Sequence, residues 1–492
     1  MKIAVVGGGA AAVGALAGIE TWAPDAHVTV FDVGARLSSP SPDVAEHGFR
    51  RESLVPLYRD LRARHGLAFP PPKSHFGETL RKFEVAGKPH LWKSEHRGGL
   101  TNIWGGGMFA LADRDLEGWP VTAAELEPYY RRIADLVGVC GEPDALDQYS
   151  KSFANRPPLL TSPVIHALRD AVNRGRTRTW KILAGAGRLA LETRQGLPHS
   201  CVYSGECMLG CPRESIWSAS RELDRLETSG VIDRYVVGRV RTVRNRTVEV
   251  ATPNGTEQFG PFDRVFLTAG CIATTEIVMR SLDIQRGLTM RDNAVLSFPI
   301  MHVGLTRTPD PRYFGLCNLS MLAFGDTGPT AQVSVYPTFD HLWRYYTPPS
   351  MWSVLEPLWR LGRWRLLLAR VFFAGDANRA YDFELVKDQL SILPRPLPEI
   401  GPKLRSFLGD LRSAASPAFV IPPLPPSGQA TSSHYAATLP YGGGILRLGR
   451  HGKLAPGTHV ADATAFVSAP AISPTFTIMA NACRTVYESL QD

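Results

Sequence analysis

Within its first ten residues the chain commits to one kind of turn. Lys2–Val6 (KIAVV) is an apolar run of strand length, and Gly7-Gly8-Gly9-Ala10-Ala11-Ala12 follows it directly. This supplies a G-x-G-x-x-A pattern that opens a helix of small residues over Ala10–Gly18. Gly7 permits a tight turn, Gly9 lets the backbone approach a pyrophosphate, and Ala12 keeps the helix close to the sheet. The helix N-terminus offers free N–H groups to phosphates. A second strand is expected at 27–33 (HVTVFDV), and its Asp32, 23 residues after Gly9, can accept from ribose hydroxyls. A glycine-rich turn that merely packs leaves Asp32 unexplained. The spacing therefore predicts a Rossmann-type dinucleotide site, with FAD and NAD both open at this point.

Length and charge narrow the setting. A chain of 492 residues that is 44% hydrophobic buries a large core, most simply as two lobes. The net charge of +8 is spread among acids, which describes a solvated surface and no nucleic-acid partner. The opening segment has the outline of a signal peptide, but its glycines interrupt the apolar run too early. No uninterrupted apolar run reaches membrane-spanning length. Seven cysteines, scattered apart from one cluster, do not read as a secreted disulfide scaffold, so a cytoplasmic location is expected.

Residues 35–100 mix loops and helices, with a Pro-rich stretch at Pro70–Pro72. The spacing predicts a helix over 122–138, where Thr122 and Glu125 form a capping-box pattern. Residues 231–267 read as successive strands ending in RVFLTAG. From about 300 to 430 proline and aromatics rise, and QVSVYPTF alternates as a strand of a separate sheet. FVIPPLPPSG (419–428) reads as a stiff linker, and 470–490 closes with a helical pattern.

Further motifs divide FAD from NAD. Gly98-Gly99-Leu100-Thr101-Asn102-Ile103-Trp104-Gly105-Gly106 resembles the G-G-x-[ST]-x-x-W-G-G loop of the glucose–methanol–choline (GMC) oxidoreductases, which lies over the flavin. GWPVTAAELEPYY (118–130) is similar to the part that follows it in the family's bacterial branch. RVFLTAGCIATTE (264–276) resembles the family's strand and A-G-x-x-x-T loop, and HVADATAFVSAPAISPTFTIMANACR (459–484) its C-terminal signature. The resemblance implies FAD contacts from Gly7, Gly9, Ala12, Asp32, Gly99, Thr101, Asn102, Trp104, Gly105, Gly106, Val240, Ala269, Gly270, Asp462, Ala463, Pro474 and Thr475. Val240 matches the position whose backbone meets the adenine, and Asp462-Ala463 the pair that touches the pyrophosphate. Members that link FAD covalently place a His where this chain has Ile103, so noncovalent FAD is implied.

The implied fold is α/β (α+β overall), a Rossmann-type FAD-binding domain with a separate sheet-based substrate domain. Residues 1–299 would form mainly the FAD-binding domain, with inserted helical and loop segments around 35–200. Residues 300–428 would form mainly the substrate-binding domain, and 429–492 would return to the first with the catalytic His. That residue is His434, because Ser433-His434-Tyr435-Ala436-Ala437-Thr438 matches the family's H-x-x-G-T-like turn, with Ala437 in place of glycine. An imidazole titrating near neutrality can accept an alcohol proton while hydride leaves the same carbon for flavin N5. The second catalytic His or Asn of the family is absent, and Ser473 or Pro474 stands in its place. A Ser473 hydroxyl can bond a substrate oxygen but cannot carry charge.

The expected activity is FAD-dependent oxidation of a CH–OH donor, an alcohol or sugar, with oxygen, a quinone or a carrier protein as electron acceptor. These motifs are compatible with oxidase and dehydrogenase alike. The missing second residue keeps a lyase, isomerase, decarboxylase or non-turnover flavoprotein as alternatives. Cys201, Cys207 and Cys211-Pro212 resemble a ferredoxin-like run lacking one cysteine, and three thiolates could hold a 3Fe–4S cluster; a buried thiol-rich turn is the alternative. The basic aromatic stretch 351–373 has helical spacing of apolar and arginine residues. An interfacial helix or lid in peripheral membrane contact is one reading, and a core helix is favoured because arginines fall on several faces.

Overall fold

A computed structural model describes residues 1–34, 80–83, 91–203, 205, 207, 211, 213–304, 314–325, 330–338, 349–374, 379–423 and 427–492. The Pro70–Pro72 stretch lies outside these residues. The fold is mixed α/β. Lys2–Val6 sits inside a six-stranded sheet, flanked by Arg264–Leu267 and His27–Asp32, with Arg234–Val237 beyond the latter. Thr458–Val460 continues the parallel order, and Lys453–Ala455 closes that edge antiparallel. Ile3, Ala4, Val5 and Val6 are buried, as a central parallel strand covered on both faces requires. The helix Ala10–Trp22 leaves the first strand through the glycine turn and packs on the closing helix Thr475–Ser489. A Cβ on Gly14 would come within 2.4 Å of the Met479 carbonyl oxygen, so these helices meet backbone to backbone.

The helix expected at 122–138 is Ala123–Val137, capped by the Thr122–Glu125 box in both directions. The strands expected over 231–267 are Arg234–Val237, Arg239–Arg244, Thr247–Thr252, Gly255–Phe259 and Arg264–Leu267.

A second, antiparallel sheet of seven strands carries the other wall of the site. Its central run is Ala294–His302, Leu366–Phe373, Ala331–Pro337, Leu319–Phe324 and Lys181–Ala186, with Phe419–Val420 and Ser427–Thr431 pairing on the outer side of Ala294–His302. Alternation gives this sheet two unlike faces. Leu367, Ala369, Val371 and Phe373, with Val333, Val335, Leu319 and Met321, form one apolar core with the helices Pro163–Arg174 and Gly401–Ala415. The intervening Leu368, Arg370, Phe372, Gln332, Ser334 and Ser320 face a cavity.

The stretch 351–373 is therefore not one helix. It divides into the helix Trp352–Gly362, a 3-10 turn at Arg363–Arg365 and the strand Leu366–Phe373. The strand half has a period of two as well as bulky apolar residues, and two neighbouring strands bond it along its length. On the helix half Val354 and Leu358 are exposed, so it is not a core helix.

Candidate active site

One cavity of about 730 Å³ runs from the glycine turn to the face of the antiparallel sheet. That is within the range of about 300–1,000 Å³ found for small-molecule sites. At its first end, the turn after Lys2–Val6 places Gly7 at φ +120°, where a Cβ would also stand 2.5 Å from the Thr268 carbonyl oxygen. Gly8 lies against the Asp32 carboxylate, which would be 2.3 Å from a Cβ there. Gly9 differs: a Cβ on it would meet nothing within 4 Å, and the same holds for Gly105 and Gly270. All three line the cavity, so bare main chain from three distant loops opens onto one space.

Asp32 lines the same end, accepts from the Tyr235 hydroxyl at 2.7 Å, and has its carboxyl pushed above the usual range by burial. Val240, Gly99, Thr101, Trp104, Ala269, Asp462, Ala463, Pro474 and Thr475 also line the cavity. Ala12, Asn102 and Gly106 do not. Ala12 is buried in the core between helix and sheet, and Asn102 donates to the Arg97 carbonyl at 2.9 Å. Gly106 accepts from the Ala190 N–H at 2.7 Å.

Several lining residues are held by bonds that shape the loops. The Thr101 hydroxyl donates to Gly98 and accepts from the Ala219 N–H at 2.9 Å, tying the loop to the start of the helix Ala219–Thr228. The buried Asp462 carboxylate accepts from the Gly270 N–H at 2.9 Å and the Thr274 hydroxyl at 2.6 Å, anchoring the N-terminus of the helix Cys271–Ser281. Burial pushes its carboxyl up.

At the far end stand His434 and Ser473. The turn bearing His434 follows the outer strand Ser427–Thr431 and holds both Ser433 and Ala437 at positive φ, 64° and 72°. The buried Asp292 carboxylate fixes it, accepting from the Ser432 hydroxyl and from the backbone N–H groups of Ser432 and His434. Burial raises the Asp292 carboxyl to about 6. The imidazole stacks on Phe372 with ring centroids 5.4 Å apart and planes 21° off parallel.

Asn293 decides its tautomer. The Asn293 amide NH2 donates to the carbonyls of Phe373, Ala469 and Pro470 at 3.0–3.3 Å, which turns its Oδ1 towards His434 Nδ1 at 3.0 Å. Nδ1 must then carry the proton, and Nε2 is the unprotonated nitrogen. Burial, and next the Arg370 guanidinium, pushes the imidazole down to about 4, so it is neutral at pH 7.

Ser473 precedes the closing helix and donates its backbone N–H to Gln332 Oε1 at 2.8 Å. Gln332 is thereby oriented with its NH2 as the remaining donor group. Asn293 and Gln332 do not stand out in the sequence, and Arg370 stands there only as one arginine of the basic aromatic stretch 351–373. The Asp292-Asn293 pair ahead of the apolar run AVLSFPI, the polar residues at alternate positions of AQVSVYP, and the lone arginine within LLLARVFF are the signals that could have found them.

Cys201 and Cys207 are buried and Cys211 is half-buried; none of them forms a disulfide, and burial pushes Cys201 up to about 11. Among the described residues no group of three or more Cys, His, Asp or Glu is placed to hold a metal ion, so the expected convergence of these three thiolates on a 3Fe–4S cluster is not met. Leu159, Leu189, Ile216 and Phe314 share one apolar cluster with Cys201 and Cys207, and this burial favours the thiol form of Cys201. Among the described residues no helix is long and apolar enough to cross a membrane.

No family model and no curated protein matches the chain. Among solved structures it is similar to pyridoxine 4-oxidase from Mesorbium loti, with a TM-score of 0.61 at 15% sequence identity, covering 100% of this chain and 99% of that one. The likeness extends over the whole fold.

Proposed function

We propose that the chain is an FAD-dependent oxidoreductase that oxidises an alcohol, in the manner of the GMC enzymes its motifs resemble. The observation that carries this reading is the neutral His434 imidazole, held by Asn293 with Nε2 as a free base at one end of a long glycine-lined cavity. The residues fit FAD: bare backbone at Gly9, Gly105 and Gly270 for ring and phosphate approach, and Asp32 for the ribose. When bound, FAD supplies a hydride acceptor at flavin N5. His434 Nε2 accepts the hydroxyl proton as the carbon–hydrogen bond is broken. The Asn293 Oδ1 bond to Nδ1–H holds the ring in the basic tautomer and stabilises the imidazolium that forms. The Gln332 amide and Ser473 hydroxyl offer donors to the substrate oxygen where relatives carry a second His or Asn. The full-length likeness to pyridoxine 4-oxidase supports an oxidase, with oxygen as acceptor.

The test is anaerobic mixing of FAD-loaded protein with a panel of alcohols and sugars while flavin absorbance is followed. Bleaching by at least one substrate is expected, and its rate in His434→Asn should fall by about 10²–10⁴-fold with FAD content retained. Product formed without bleaching would overturn the redox reading in favour of a lyase or isomerase.

A further inference from the structure

Three arginines buried in the fold are each paired with carboxylates. Arg97 meets Asp224 and Glu227, Arg188 meets Asp144 and Asp147, and Arg484 meets Glu488. Arg370 is half-buried on a central strand and faces the cavity. Its Nε is shielded from solvent without a hydrogen-bond partner, and no carboxylate among the described residues pairs with it. Its guanidinium carbon lies 5.7 Å from the Phe372 ring centroid, on the residue that stacks against His434. Register places hydroxyl groups beside it: Ser334 and Ser297 stand directly opposite Arg370 on the two flanking strands, and Ser320 opposite Ser334. A partly desolvated cation without a counter-charge is costly, whereas a guanidinium fork with adjacent hydroxyls suits an oxyanion.

We propose that Arg370 is a specificity-determining residue that binds an anionic group of the substrate, so that the alcohol oxidised here carries a carboxylate or a phosphate. The proposal rests on the oxidoreductase reading for the word alcohol, but the anion site can be tested without turnover. The positive charge beside His434 favours the neutral base before substrate arrives. A bound oxyanion then offsets that charge and eases transfer of the proton to the imidazole.

The experiment uses FAD-loaded protein and non-oxidisable probes, with binding read from perturbation of the flavin absorbance. Benzoate is compared with its neutral isostere benzamide, and inorganic phosphate forms a second arm. Benzoate or phosphate should bind at least about 10-fold more tightly than benzamide. Arg370→Gln should remove that preference with FAD content unchanged, and Arg370→Lys should keep part of it. Preference for benzoate identifies a carboxylate and preference for phosphate a phosphate ester. Equal binding of all three by the wild type, or an anion preference that survives Arg370→Gln, overturns the proposal. Absence of flavin bleaching by any alcohol, with anion preference intact, would instead count against the oxidoreductase reading alone.

Discussion

Replacing His434 by glutamine should change how stability depends on pH, by an amount that the burial of the ring sets. In the fold the imidazole is pushed from 6.5 down to about 4, by burial first and then by Arg370. In the unfolded chain it titrates near about 6.5. Between these values the unfolded state binds more protons, so stability rises with pH. The contribution is fully present above the unfolded value and is lost as pH falls towards the folded one. At about 1.4 kcal/mol per pH unit the gap is worth about 3 kcal/mol. Asp292 works in the opposite sense, because burial raises its carboxyl from 3.8 to about 6. Its contribution is present below the unfolded value and is lost as pH rises through about 6. The two slopes offset each other in the wild type, and the difference between wild type and His434→Gln isolates the histidine. Urea denaturation of FAD-saturated protein from about pH 7 to about pH 4.5 reads that difference. Most of the 3 kcal/mol should appear as a relative gain of the variant as pH falls. A difference that stays constant across the window would refute a neutral, buried imidazole.

Two glycines of one turn should separate binding from folding. Gly9→Ala adds a Cβ that meets nothing within 4 Å, so stability without cofactor should hold within about 1 kcal/mol, while FAD affinity, read by flavin fluorescence titration, falls at least about 10-fold. Gly7→Ala, at φ +120° and 2.5 Å from a carbonyl oxygen, should instead destabilise the protein by about 2 kcal/mol or more in urea. Ala437 occupies φ +72°, so Ala437→Gly should raise stability by about 0.5–1 kcal/mol, checked by the denaturation midpoint.

The glycine-turn end of the cavity was legible because each of its devices is local. A strand, three glycines and a helix occupy consecutive positions, and Asp32 follows at the end of the next strand. Thr122 and Glu125 announce their helix within four residues for the same reason. The chemistry of the far end is assembled across the chain. His434 and Asn293 are 141 residues apart in sequence, and nothing near His434 names the group that sets its tautomer. Gln332 meets the Ser473 N–H across the same separation, 141 residues. Arg370 was visible as one of several arginines in a stretch with helical spacing. Only the pairing of that stretch with two strands shows that Arg370 shares a face with Phe372 and Ser334. The three cysteines show the reverse limit: neighbours in sequence, they form no metal-holding group among the described residues.

The antiparallel sheet separates what this protein must keep from what it can exchange. Along 367–373 and 331–336 the odd-numbered residues build the core against two helices, and the even-numbered ones meet the cavity. The two sets share a backbone and little else. Substitutions at even positions can therefore resize or recharge the site without opening a void behind it, and substitutions at odd positions shift stability without touching ligand. A lineage carrying this sheet can change what its cavity admits one alternate residue at a time, with the glycine turn and the histidine turn left as they are.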